Sequence, residues 1–258
     1  MKELTIDCPR VEKNLVSFIS EEVEKAGFSR VVFGLSGGLD SAVSAYLAQR
    51  ALGASQVIGV IMPYRTTSKE SLDDARLVAD TLGIETQYID ITPFVDPYFA
   101  LFPEADRIRQ GNKIARERMT ILYDLSRKYE ALVLGTGNKS ELLMGYFTIY
   151  GDGACALNPL GDLYKTQVRQ LARHLGVPVG IVDKVPSAEL WQGQTDEDDL
   201  GFTYEELDRI LYYLIDRKYS PERMAEMGFD RKSVEKVRKQ IAQNEFKRRL
   251  PLIARIST

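Results

Sequence analysis

Two serines, two glycines and an aspartate crowd into the six residues Ser36-Gly37-Gly38-Leu39-Asp40-Ser41. The run before them, Arg30-Val31-Val32-Phe33-Gly34-Leu35, reads as a buried parallel strand, and Ser41-Ala42-Val43-Ser44-Ala45-Tyr46-Leu47-Ala48 reads as a helix. A small-residue loop between strand and helix aims backbone N–H groups, two hydroxyls and the helix's positive end at one point. That is a cradle for phosphate. It is not the Walker loop, which needs Gly-Lys-Ser/Thr where this chain has Gly38-Leu39-Asp40-Ser41. Asp40 would repel phosphate unless a divalent cation bridges them. A plain strand–turn–helix capped by Asp40 or a serine explains one polar residue, but not two glycines and two serines together.

Other chemistries find little support. The single histidine, His174, lies near the end of an amphipathic helix, where a solvated helix C-terminal residue is the natural reading. This speaks against Ser-His-Asp and Cys-His mechanisms. The two cysteines, Cys8 and Cys155, have no CxxC spacing, so neither a zinc site nor a disulfide framework is readable. Metal, lysine, arginine and carboxylates remain, a set that suits phosphoryl or adenylyl transfer. A net charge of −3 gives no dominant basic surface and counts against a large nucleic-acid footprint. No apolar signal core or membrane-length run is present, so a cytoplasmic protein without membrane attachment is expected.

The loop needs a frame to hold it. With 258 residues, 44% of them hydrophobic and 28% charged, the chain can bury a full core as one domain over 1–258. Val11, Leu15, Phe18, Ile19 and Val23 predict an opening amphipathic helix ending near Gly27. Further strands are expected at Gln56–Pro63, Glu85–Ile91 and Ala131–Thr136, with helices leading to Leu82 and Gly83, over Asn112–Tyr129 and over Tyr164–Leu175. Phe94 to Gly111 has no clear period and reads as a loop or short helix. This alternation predicts an α/β fold, an open doubly wound parallel sheet flanked by helices, occupying about 10–185. Ligands collect beyond the carboxyl ends of such strands, where both the Ser36–Ser41 loop and Thr136 sit. The polar, acidic stretch 186–200 contains the only tryptophan, Trp191, and reads as a lid-like loop. A helical C-terminal part over 203–258 follows.

The loop resembles the SGGxDS signature of the PP-loop ATP pyrophosphatases. The second half of the chain resembles NAD synthetases more narrowly. The matching stretches are Gly135-Thr136-Gly137-Asn138-Lys139-Ser140-Glu141, Gly145-Tyr146-Phe147-Thr148, Tyr150-Gly151-Asp152-Gly153, Asn158-Pro159-Leu160-Gly161-Asp162-Leu163-Tyr164-Lys165-Thr166-Gln167-Val168, Pro186-Ser187-Ala188-Glu189-Leu190 and Gln192-Gly193-Gln194-Thr195-Asp196-Glu197. They match in order and spacing, and the resemblance covers essentially the whole chain.

That resemblance implies the adenine nucleotide alpha-hydrolase-like form of the fold and a site with assigned parts. Gly34, Leu35, Ser36, Gly37, Gly38, Leu39, Asp40 and Ser41 would hold ATP phosphates, with Thr136, Lys165 and Ser187 as further ATP contacts. Asp40 and Glu141 would ligate Mg²⁺, and Asp40 and Lys165 would be the catalytic residues. Ile61, Met62 and Pro63 would lie by the adenine. Arg116 and Lys247 would contact deamido-NAD, although by itself Arg116 reads as half of a helix-surface pair. Many members carry lysine, aspartate and histidine where this chain has Ile149, Ala156 and Phe246. The implied reaction is ATP-dependent amidation of deamido-NAD by ammonia through an acyl-adenylate, releasing AMP and pyrophosphate. A homodimer is implied too, and with no stretch left over for a glutaminase domain, ammonia is the expected nitrogen source. A tRNA-modifying relative would need sulfur-carrying cysteines or a basic surface. A mere ATP sensor would not need Asp40, Glu141 and Lys165 together.

Overall fold

The structure is a computed structural model that describes residues 2–191, 193–254 and 256. Its frame is a sheet of four parallel strands, β1 (Arg30–Gly34), β2 (Val57–Ile61), β3 (Glu85–Tyr88) and β4 (Ala131–Val133), in the order β3-β2-β1-β4. β1 is central, pairing with β2 from Val31–Val57 to Gly34–Val60 and with β4 from Arg30–Ala131 to Val32–Val133.

Both sheet faces are covered, which is why β1 and β2 are continuous apolar runs rather than alternating ones. Val31, Phe33, Val57 and Ile61 point to one face. There they pack with α1 (Cys8–Lys25), α2 (Leu39–Leu52), α3 (Lys69–Leu82) and α7 (Lys165–Leu175). Val32, Ile58, Val60 and Val133 point to the other, against α4 (Thr92–Phe99) and α5 (Arg107–Tyr129). The open doubly wound parallel sheet is therefore present. Connections leave β1 towards β2 on one side and return to β4 on the other, so a crevice opens beyond the carboxyl ends of β1 and β4.

Some elements differ from the sequence expectation. β3 stops at Tyr88, since it is an edge strand with three of its four residues exposed and lacks a buried run to extend it. Phe94–Gly111 starts inside α4, and α5 begins at Arg107 because the Asp106 side chain caps Arg109 N. Two short helices, α6 (Lys139–Met144) and α8 (Val179–Asp183), flank α7. The acidic stretch becomes helical in α9 (Asp196–Leu200), where the Thr195 side chain accepts from Asp198 N and four acidic residues occupy the favourable first turn.

Beyond it, α10 (Tyr204–Leu211) runs on into a π-helical turn, Tyr212–Asp216, and α11 (Pro221–Glu226) and α12 (Arg231–Gln243) follow. These helices bury Tyr204, Leu207, Leu211, Met224, Val234 and Val237 together with Met144 of α6 and Tyr164 just before α7. The C-terminal helices therefore brace the two elements that follow β4. His174 ends α7 as the sequence suggested, its Nε2 lying 2.7 Å from Glu12 Oε2 at the surface. No described helix is long and apolar enough to cross a membrane.

Gly37 joins two parts of this frame. Its φ is +80°, and a Cβ there would collide with the Ser71 carbonyl oxygen of α3. Gly37→Ala should therefore destabilise the protein by ~1–3 kcal/mol. Gly180→Ala, in α8 at an ordinary φ with nothing within 4 Å of its Cβ position, should be neutral or slightly stabilising. Thermal unfolding of the two variants tests this, and equal melting temperatures would contradict it.

Candidate active site

At the mouth of the crevice the loop after β1 folds back on itself. Gly38 N donates to Ser36 Oγ (3.2 Å), Ser41 Oγ donates to Gly38 O (2.9 Å), and the two serine hydroxyls lie 3.0 Å apart. Gly38 is the N-cap of α2 and offers no side-chain bond, so the first-turn N–H groups are left for a ligand. Asp40 stands in that first turn.

Three helix starts converge opposite it. Lys165 is the first residue of α7 and only 3% exposed, and its Nζ pairs with Asp40 Oδ2 and lies 3.4 Å from Glu141 Oε1. Glu141 sits three residues into α6 because Asn138 forms a reciprocal capping box with it. The buried Asn138 also donates from Nδ2 to Asp40 Oδ1 at 3.2 Å. A third carboxylate, Asp196 at the start of α9, is held by Tyr204 OH at 3.1 Å and Tyr146 OH at 3.2 Å.

Burial raises the Glu141 carboxyl, Asp40 pushes it further up, and Lys165 draws it back. Burial alone would lower Lys165, but Asp40 and Glu141 outweigh it and hold the ammonium above its ordinary value. One cation thus faces three carboxyl groups, and burial pushes two of them, Glu141 and Asp196, up. The donors are oxygens throughout, which suits a hard divalent cation. No group of three or more His, Cys, Asp or Glu that could hold a metal is found among the described residues.

The cleft holding this cluster has a volume of about 930 Å³. Its walls include Gly34, Leu35, Ser36, Gly38, Leu39, Asp40, Ser41, Thr136, Glu141, Lys165, Ser187 and Lys247, with Ile61, Met62 and Pro63 along one side. Two expected residues stand off the wall. Gly37 backs onto α3, and Arg116 donates from Nε to Ile149 O at 3.3 Å. Lys247 is on the wall, and its Nζ also donates to Gly145 O (2.7 Å) and Phe147 O (3.0 Å).

Arg118 escaped the sequence reading. It lines the cleft, donates from Nε to Met62 O at 3.1 Å, and burial pushes its guanidinium down while Asp152 and Glu189 hold it up. The signal was present: Arg118 falls in step with Ile114 and Leu125 on the buried face of α5, where a charge needs a reason. Glu189 was missed as well. Its φ is +49°, and Oε1 accepts from Ser68 Oγ (2.9 Å) and Ser71 Oγ (2.8 Å) at the start of α3. Thr66 Oγ1 donates to the Glu189 carbonyl at 3.0 Å, and Leu190 packs on Gly111 of α5. The stretch from Pro186 to Trp191 thereby straps α3 to α5 along the cleft wall. Gln192, within the matching stretch Gln192–Glu197, lies outside the described residues.

A lysine-free phosphate loop at the switch point of a doubly wound sheet, answered by a buried lysine and carboxylates, defines a nucleotide-handling α/β enzyme. Comparison with known proteins narrows this. The NAD synthase family model matches residues 11–251. An NH3-dependent NAD⁺ synthetase of Trichlorobacter lovleyi is 50% identical over 257 residues, covering 100% of this chain and 94% of that one. Among solved structures, NMN synthetase from Francisella tularensis superposes with a TM-score of 0.86 at 35% identity, over 97% of this chain and 99% of that one. The NH3-dependent NAD synthetase of Campylobacter jejuni gives 0.83 at 33% identity, over 97% and 100%. This chain belongs to the NAD synthase family.

The Glu189 clasp is the strap's main polar anchor to α3. Glu189→Ala should leave the main unfolding transition within ~1–2 kcal/mol of the parent. Amide exchange of residues 186–191 should accelerate at least tenfold. Unchanged exchange there, measured by mass spectrometry, would show that the clasp does not hold the strap.

Proposed function

We propose that this chain amidates deamido-NAD with ammonia at the expense of ATP, completing NAD. The observation that carries the reading is the pairing of Lys165 with Asp40 and Glu141 directly across from the phosphate loop. Support comes from the end-to-end likeness to proteins named NH3-dependent NAD⁺ synthetases.

In this reading the nicotinate carboxylate attacks the α-phosphorus of ATP, and the bond to the β-phosphate oxygen breaks. Pyrophosphate departs into the loop from Gly34 to Ser41, where N–H groups and Lys165 balance its growing charge. Ammonia then adds through its lone pair to the acyl carbon of the adenylate. The C–O bond to AMP breaks, a proton leaves the nitrogen, and the carboxamide remains. Oxide is too poor a leaving group for direct amide formation, and adenylation replaces it with AMP. No covalent nucleophile from the protein is needed.

Asp40 and Glu141 fit a magnesium ion held jointly with the triphosphate, which when bound would neutralise phosphate charge. Thr136 and Ser187 serve as ATP contacts, and Ile61, Met62 and Pro63 as the adenine wall. Arg116 and Lys247 are the dinucleotide contacts, and 186–200 serves as a lid over a cytoplasmic enzyme's site. Arg116 stands off the cleft, so its role belongs with a homodimer that completes the dinucleotide site. Exposed apolar residues near it, Ile108 of α5 and Tyr150, support such an interface.

A second reading follows from the Francisella tularensis neighbour, named an NMN synthetase. The substrate would then be the nicotinate mononucleotide, half the size but with the same reacting carboxylate.

Incubation with ATP, Mg²⁺, ammonium and either acid should give AMP and pyrophosphate in equal amounts, faster with deamido-NAD, and glutamine should not replace ammonium. ADP and orthophosphate as products would overturn the reading, and a clear preference for the mononucleotide would favour the second.

Asp40→Ala and Glu141→Ala should each lower turnover about a hundredfold or more while the protein remains folded. Near-normal turnover in either variant at saturating magnesium would remove that residue from the site.

A further inference from the structure

One buried carboxylate lies behind the site and is not part of the cleft wall. Asp208 of α10 is 0% exposed. Its Oδ1 accepts from Ser140 Oγ at 2.5 Å, and its Oδ2 accepts from Thr166 N at 2.8 Å. Ser140 Oγ in turn accepts from Lys165 N at 3.0 Å. The first two N–H groups of α7 therefore end on this one carboxylate, directly or through the serine.

The arrangement replaces an ordinary cap. The N-cap of α7 is Tyr164, whose side chain makes no cap bond, whereas eight other helices use an Asp, Asn, Ser or Thr of their own. A carboxylate at a helix start is favoured by the dipole as well as by the bonds. Burial pushes the Asp208 carboxyl up to about 6, against the bonds from Ser140 and Thr166, so it is mostly ionised at neutral pH. What distinguishes this cap is its neighbours. Ser140 immediately precedes Glu141, and Thr166 immediately follows Lys165.

We propose that Asp208 is a positioning residue of the reaction, locking the starts of α6 and α7 together so that Lys165 and Glu141 hold their separation across from Asp40. The C-terminal helices thereby act on the reacting groups through one buried carboxylate. This inference rests on the amidation reading for its kinetic arm only.

Asp208→Asn keeps the volume but sets an amide against donors. If its oxygen takes Thr166 N, its NH₂ faces Ser140 Oγ, and the serine proton loses its acceptor. Val234→Ala, in the same apolar cluster but on α12, serves as a control for stability loss alone. Kinetics should show kcat down about tenfold or more for Asp208→Asn, with KM for ATP within about threefold, because misplacement of reacting groups acts on the chemical step. The control should keep kcat within about twofold. Independently of turnover, trace acetylation with acetic anhydride, read by mass spectrometry, should label Lys165 severalfold faster in Asp208→Asn than in the parent or the control.

Unchanged kcat and unchanged Lys165 labelling in Asp208→Asn would overturn the proposal. So would equal losses in the control. If Asp208→Asn does not fold, Ser140→Ala, which cuts only the link to Lys165 N, should show the same two changes in smaller measure, and their absence is equally decisive. A parent enzyme that makes no AMP, yet shows the labelling difference, would refute amidation and leave the positioning role standing.

Discussion

An ammonium taken out of water must find negative charge, and the Lys165 Nζ finds it on two other helices. Its partners are Asp40, in the first turn of α2, and Glu141, in the first turn of α6. Removing one partner of a buried ion pair costs far more than the pair contributes, typically about 3–5 kcal/mol. The relative placement of α2, α6 and α7 is therefore tightly constrained once Lys165 is buried. Each carboxylate and the lysine stand at a helix N-terminus, so all three positive dipole ends point into one small volume. The carboxylates are comfortable there. The lysine is not, and that is one reason it needs both of them.

The sheet makes this convergence possible. Strands β1 and β4 are neighbours, but the chain leaves β1 through α2 on one face and enters β4 from α5 on the other, which opens a gap at their carboxyl ends. Gly37 lets the loop after β1 press against α3, and Gly135 lets the chain after β4 pass Cys155, whose Sγ would lie 2.6 Å from a Cβ there. Both glycines are needed for close approach, one of them for its positive φ as well. They serve the geometry of the gap.

Much of this was legible in the sequence, and the reason is that local signals coincided. β1 and β2 are apolar on both faces, and the phosphate loop joins β1 to a helix. α6 was harder to see. Six residues are too few for a hydrophobic period, and only the Asn138-Lys139-Ser140-Glu141 capping pattern marks its start. Arg118 was visible only as a charge out of place on a buried helix face. Asp208 could not be read at all: it lies 68 residues from Ser140 and 42 from Thr166, and its meaning exists only after α10 packs on α6 and α7. Glu189 belongs to the same kind. A lone acidic residue in an acidic loop looks solvated until the fold sets it against the two serines at the start of α3.

The strap shows how such distant contacts are tuned. Glu189 adopts a left-handed φ of 49°, a conformation that costs a non-glycine residue on the order of 1 kcal/mol. Its carboxylate accepts from two serine hydroxyls at a helix start, and each such charge-assisted bond is worth about 1.5–3 kcal/mol. Two such bonds outweigh the strain of one left-handed residue. The strap's residues at 186–191 lack regular secondary structure of their own. By contrast, the Lys165 pairs and the Asp208 cap are buried and made by helices packed into the core. The two kinds of contact divide the site into a buried floor, where small displacements of charge matter most, and a wall held from the surface by the Glu189 clasp.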